Sequence, residues 1–194
     1  MTERTMGAKE PAASREPRFL PGDGEDADFI ARALRVNHAG EYGAQRIYAG
    51  QIAVLGETDV GPVLKHMADQ EQAHLDYFDK ALNARGVRPT ALHPFWHVAG
   101  YALGAATALM GKRAAMACTV AVEEAINEHY TKQAQRLDER EGELRDTVER
   151  FRREEMQHHD TALEHEAERA PGFRPLKAVI KAGCKVAIRL SERI

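Results

Sequence analysis

Beyond about residue 25, apolar residues recur at helical spacing, and no stretch alternates as a half-buried strand would. The pattern predicts a first helix starting near Asp26 or Asp28, both suited to an N-cap, and running to about Leu55. Gly56, Asp59, Gly61 and Pro62 cluster as a turn. A second helix runs from about Pro62 to Ala84, closed by Gly86 and Pro89. A third spans about Ala114 to Leu137, the charged run Asp138–Gly142 turns the chain, and a fourth spans about Glu143 to Ala167 before Pro171-Gly172. Pro175 to Ile194 is helical by the same criterion. Residues 1–22 show no periodicity and read as a disordered tail, leaving 23–194 as one all-α domain.

Residues 89–111 carry no Asp, Glu, Lys or Arg, and Phe95–Gly111 is an apolar, Gly/Ala-rich run of 17 residues. A membrane-spanning helix needs about 20 strongly apolar residues. This segment is therefore either a crossover helix packed closely through its small residues or one that dips shallowly into a membrane.

Two apolar stripes are broken in the middle. One reads Met67, Glu71, His74, Phe78; the other reads Val148, Phe151, Glu155, His158, Ala162. Each break is a Glu-x-x-His unit, whose two side chains share one helix face. Each has an upstream companion, Glu41 lying 30 residues before Glu71 and Glu123 lying 32 before Glu155, and each companion is followed seven residues later by Tyr48 or Tyr130. The midpoint of each pair falls on a predicted turn, near Gly56-Glu57-Thr58 and Glu139-Arg140. Folding at those points brings four ligand-bearing segments to one level of a four-helix bundle.

A buried Glu and His in a core stripe are costly unless paired or bound to metal. Four buried carboxylates repel one another, and two divalent ions balance them. Carboxylates with neutral imidazoles suit iron or manganese better than the thiolate-rich structural sites of zinc. One Glu from each of two helices and Glu-x-x-His from each of the other two is the di-metal arrangement of ferritin-like bundles. The expected ligands are Glu41, Glu71, His74, Glu123, Glu155 and His158. Glu155 is chosen over Glu154 because only Glu155 has a His three residues on. Tyr48 and Tyr130 are either ordinary core residues or partners of the ligands in hydrogen bonding or radical transfer. Glu124 and Glu154 point about 100° away from the ligand faces. His129 lies off the metal face, and His66, His93, His97, His159 and His165 acquire no role.

Composition adds bounds. A chain of 194 residues can bury a sizeable core. A net charge of −3 argues against a nucleic-acid partner. Two cysteines without a Cys-x-x-Cys suggest reduced thiols. The acids Glu3, Glu10 and Glu16 argue against a mitochondrial transit peptide, and no apolar stretch suits a signal peptide. In the last helix, Leu176, Val179, Ile180, Cys184, Val186, Ala187, Leu190 and Ile194 share one side. Lys177, Lys181, Lys185, Arg189 and Arg193 occupy the other. Such a helix is either a bundle helix with a solvated face or one whose cations meet an anionic bilayer.

The segments Val36-Asn37-His38-Ala39-Gly40-Glu41-Tyr42-Gly43-Ala44, Glu71-Gln72-Ala73-His74, Val122-Glu123-Glu124-Ala125-Ile126 and Glu154-Glu155-Met156-Gln157-His158-His159-Asp160 resemble the demethoxyubiquinone hydroxylase family, over roughly residues 25–194. The resemblance implies a membrane-peripheral di-iron monooxygenase that hydroxylates the ring of a prenylated demethoxyubiquinol with O2. It implies the six residues above as ligands of two iron ions and the cytoplasmic face of the cell membrane as the location in a bacterium. Partners would be the quinol, O2, the membrane surface and an unidentified electron donor, with a homo-oligomer or other ubiquinone-biosynthesis proteins left open. The rival functions are a ferritin-type iron-binding or ferroxidase protein, a membrane quinol oxidase and a non-catalytic scaffold. A ferritin would need a shell-forming surface, a quinol oxidase a longer apolar anchor than Phe95–Gly111, and a scaffold no intact set of six ligands.

Overall fold

The computed structural model describes residues 25–194; the expected N-terminal tail lies outside the described residues. Six helices follow in order: α1 (Glu25–Leu55), α2 (Gly61–Arg85), α3 (His93–Leu109), α4 (Lys112–Arg136), α5 (Gly142–Glu164) and α6 (Phe173–Ser191). There is no strand among the described residues, and the fold is an all-α, ferritin-like bundle. The hairpins α1–α2 and α4–α5 form the four-helix core, α3 lies along α1, and α6 packs mainly on α4.

Local chemistry sets the ends. Gly86 takes a left-handed φ of 68° and its N–H reaches back to the last carbonyls of α2. Asp138 accepts from the Arg140 N–H at 2.9 Å and starts a single 3-10 turn before α5. α5 stops at Glu164 rather than near Ala167, because Glu166 adopts a left-handed φ of 64° and binds Arg113 and Arg169. Asp26 and Asp28, expected as caps, lie inside the first turn of α1, where Asp26 pairs with Arg140 at 3.1 Å.

α3 is the expected crossover helix packed through small residues. A Cβ on Gly104 would strike the Ile47 carbonyl, and one on Gly50 would strike the Tyr101 carbonyl. The α1 and α3 backbones therefore touch, which only Gly permits. Beside this contact, His38 binds Asp79 at 2.8 Å and His93 at 3.2 Å, while Tyr42 binds His97 at 2.6 Å. His93 and His97, unassigned from the sequence, thus tie α3 to α1.

Two apolar clusters flank the middle of the bundle. One gathers Leu64, Met67, Met116 and Val120; the other gathers Leu34, Phe78, Val148 and Phe151. Along α2 the buried face passes from Met67 to Glu71 and His74 and returns to Phe78. Along α5 it passes from Phe151 to Glu155 and His158 and returns to Ala162. The core has a polar layer enclosed by apolar ones.

Candidate metal centre

The structure brings all six expected residues together. Glu41 comes from α1, Glu71 and His74 from α2, Glu123 from α4, Glu155 and His158 from α5, and none is more than 2% exposed. Their ligand atoms form two overlapping groups: Glu41, Glu71, His74 and Glu155, and Glu71, Glu123, Glu155 and His158. Within each group the atoms lie within 4.8 Å of one another, and Glu71 and Glu155 belong to both.

The imidazoles face inward through Nδ1. His74 Nδ1 lies 3.0 Å from Glu155 and 3.6 Å from Glu41; His158 Nδ1 lies 3.2 Å from both Glu71 and Glu155. Phe151 stacks on the His74 ring at 3.9 Å. Tyr130 donates to Glu41, and Tyr48 donates to Glu123 at 3.2 Å. Both tyrosines are therefore hydrogen-bonded to carboxylates of this cluster. Burial, then the adjacent Glu123, raises the Tyr48 hydroxyl well above its ordinary pKa; burial and Glu41 do the same for Tyr130. Both remain protonated donors.

The electrostatics are those of a cluster short of positive charge. Burial, reinforced by the neighbouring carboxylates, raises Glu71 and Glu123 well above the usual range. Burial opposes charge on Glu155 too, but the adjacent His158 and His74 imidazoles override it and hold its pKa at about 2. Burial likewise opposes charge on His74, yet Glu155 and Glu41 lift it to about 10. Even so, one oxygen each of Glu41, Glu123 and Glu155, both of Glu71, and Nδ1 of His158 are buried without a hydrogen-bond partner. Unsatisfied buried polar atoms are rare in native proteins. Here they converge on one place, in two groups that could each hold a metal ion.

Glu154, which the sequence pattern set aside, and Gln70, which it did not single out, both contact the imidazoles of this cluster. Glu154 Oε2 lies 2.6 Å from His74 Nε2, and Gln70 Oε1 lies 3.1 Å from His158 Nε2. Each immediately precedes the Glu of a Glu-x-x-His unit, and that repeated position was the available signal.

The C-terminal helix departs from expectation. Its lysines face α4: Lys177 and Lys181 pair with Glu124 at 2.8 and 2.7 Å, and Lys181 and Lys185 pair with Glu128 at 2.8 and 2.9 Å. Three of the five cations that one of the two readings set against a bilayer are thus engaged within the protein. The apolar side is divided. Ile180 is buried, whereas Val179 is 71% and Val186 53% exposed. Phe95 and Val98 of α3 are 60% and 66% exposed. No helix among the described residues is long and apolar enough to cross a membrane.

Between α1, α3, α4 and α6 runs an apolar groove of about 350 Å³. Gly40 and Val122, the residues preceding Glu41 and Glu123, line its inner wall, and Val179 lines its α6 side. A Cβ on Gly40, Gly43 or Gly183 would meet nothing within 4 Å, so these glycines leave the walls open.

Comparison with known proteins agrees with this architecture. The sequence model of "Ubiquinone biosynthesis protein COQ7" matches residues 28–191. The chain is 57% identical over 176 residues to the NADPH-dependent 3-demethoxyubiquinone 3-hydroxylase, mitochondrial, of Bos taurus, covering 89% of this chain and 81% of that protein. It is 55% identical over 177 residues to the 3-demethoxyubiquinol 3-hydroxylase of Rhodospirillum rubrum, covering 90% and 83%. It is 38% identical over 211 aligned residues to the 5-demethoxyubiquinone hydroxylase, mitochondrial, of Saccharomyces cerevisiae, covering 100% and 91%. A match across nearly all the described residues, together with these relatives, makes the chain a member of the COQ7 family of ubiquinone biosynthesis proteins.

Proposed function

We propose that the chain is a di-iron monooxygenase that hydroxylates the ring of a prenylated demethoxyubiquinol. The observation that carries this reading is the doubled carboxylate–imidazole cluster behind the inner wall of an apolar groove. Glu41, Glu71, His74 and Glu155 would hold one iron, and Glu71, Glu123, Glu155 and His158 the other. When bound, the irons supply redox chemistry with O2 in which one oxygen atom enters the ring and the other leaves as water. That balance consumes two electrons and two protons. The name of the bovine relative gives NADPH for that protein, and the same donor is the natural candidate here.

The chain's own residues do the rest. Tyr130 and Tyr48 fix Glu41 and Glu123 by hydrogen bonds. The apolar layers around Met67 and Phe78 keep bulk water from the polar middle. The groove accepts an apolar tail and directs the ring to Gly40 and Val122, next to the ligands. The exposed residues Phe95, Val98, Val179 and Val186, on α3 and α6, two of the helices that wall the groove, would seat the protein peripherally on the bilayer holding such a tail.

The test is single-turnover hydroxylation. Iron-loaded protein is reduced without oxygen, mixed with a short-chain demethoxyubiquinol and exposed to isotopically labelled O2. The expected product carries one labelled oxygen on the ring, and Glu41→Ala and Glu123→Ala abolish it. O2 consumption with unmodified quinol would instead indicate a ferroxidase or an oxidase.

A further inference from the structure

The centre is built from a repeat, and the two halves nearly match. One half has Glu41 and His74, the other Glu123 and His158, and both share Glu71 and Glu155. Tyr130 serves Glu41 as Tyr48 serves Glu123. Each imidazole presents Nδ1 to the carboxylates and turns Nε2 outward.

The match fails at Nε2. The acceptor at His74 is the Glu154 carboxylate at 2.6 Å; the acceptor at His158 is the Gln70 amide oxygen at 3.1 Å. Both acceptors are half-buried and hold the same place in the repeat. They differ in charge, and the contact to the carboxylate is the shorter. An N–H given to an anion is more polarised than one given to an amide, which leaves more electron density on the opposite ring nitrogen. The other Glu154 oxygen faces the Arg150 guanidinium at 3.5 Å. Arg150 is half exposed, so solvent weakens its field, and it braces Glu154 toward His74 without removing the contrast.

We propose that Glu154 and Gln70 make the two metal positions unequal, so that the position served by His74 binds a divalent ion more tightly and fills first. This rests on reading the cluster as a two-metal centre. Glu154 and Gln70 are positioning residues; each acts only through the imidazole it holds. Outer partners of this kind change metal affinity by about 10–100-fold.

The test is titration of the metal-free full chain with Co(II), followed by visible absorption and by competition with a chelator. The wild type should bind two ions in separable steps, the tighter step lost in Glu41→Ala and retained in Glu123→Ala. Glu154→Gln, which removes charge and keeps shape, should weaken the first step by about 10–100-fold. Gln70→Glu should strengthen the second step and draw the two together from the other side. Circular dichroism reports folding, and if Glu154→Gln does not fold, Gln70→Glu decides. Two ions of equal affinity in the wild type would overturn the inequality and leave the two-metal centre standing. Wild-type steps in both variants would do the same. Failure to bind two ions at all would overturn the centre, and the inequality with it.

Discussion

Replacing Glu71 by Met should stabilise the metal-free protein while abolishing its response to metal. Glu71 is fully buried, neither of its oxygens has a hydrogen-bond partner, and burial, reinforced by the surrounding carboxylates, raises its pKa well above the usual range. Met has similar length and needs no hydrogen bond. Each buried unsatisfied polar group costs about 1–3 kcal/mol. Exchanging buried ionic groups for apolar ones of like volume often gains about 1–4 kcal/mol. The net gain is about 1–3 kcal/mol, or roughly 2–12 °C in Tm for a chain of this size. The wild type should gain about 2.7 kcal/mol when a divalent ion is present at 100 times its Kd, roughly 5–11 °C. The variant loses a side chain that both metal groups share and should show no such rise. Calorimetric or dichroic melts with and without Co(II) or Fe(II) should therefore reverse the order of the two proteins. A metal-free Glu71→Met protein that melts below the wild type would refute the reasoning, because Glu71 would then be structural. So would a variant that keeps the full metal-induced shift.

Other outcomes follow from the same contacts. Metal-free protein should lose stability as pH rises from about 5 toward 8. The raised Glu71 and Glu123 hold protons in the folded state that the unfolded chain releases above its ordinary carboxylate pKa, and His74 adds a loss between its ordinary value and about 10. Metal-loaded protein should lack this slope, and urea melts across the range check it. Tyr130→Phe should fold normally yet weaken metal binding by about 10–100-fold, since Glu41 loses its donor; chelator competition reads this. Lys181→Ala should cost no more than about 1 kcal/mol in urea melts, because its pairs with Glu124 and Glu128 are partly solvated. That variant should leave liposome binding intact, whereas Val179→Ser with Val186→Ser should reduce it.

The sequence made the helices and the six clustered residues legible for a physical reason. Both are local patterns: a 3.6-residue period, a Gly or Pro at an end, and a Glu-x-x-His breaking an apolar stripe. The doubled spacing carried those patterns into three dimensions, because equal distances from a turn place residues at equal depth in a hairpin. What stayed hidden depended on a neighbouring helix. Glu154 points away from the ligand face of α5, yet the His74 imidazole reaches across from α2 to meet it. The wheel of α6 separated apolar from cationic residues, but only the packing set the lysines against Glu124 and Glu128 and left Val179 exposed. The end of α5 depended on Arg113, on α4, holding Glu166 in a left-handed turn.

The central claim is that these six side chains hold two metal ions at the inner wall of the groove. An anomalous difference map, recorded at the iron edge from crystals of the iron-loaded protein, tests it most directly. The account predicts two peaks about 3.5–4 Å apart. Glu71 and Glu155 should lie between them, with His74 Nδ1 on one and His158 Nδ1 on the other. A single peak, or peaks away from these residues, would contradict it.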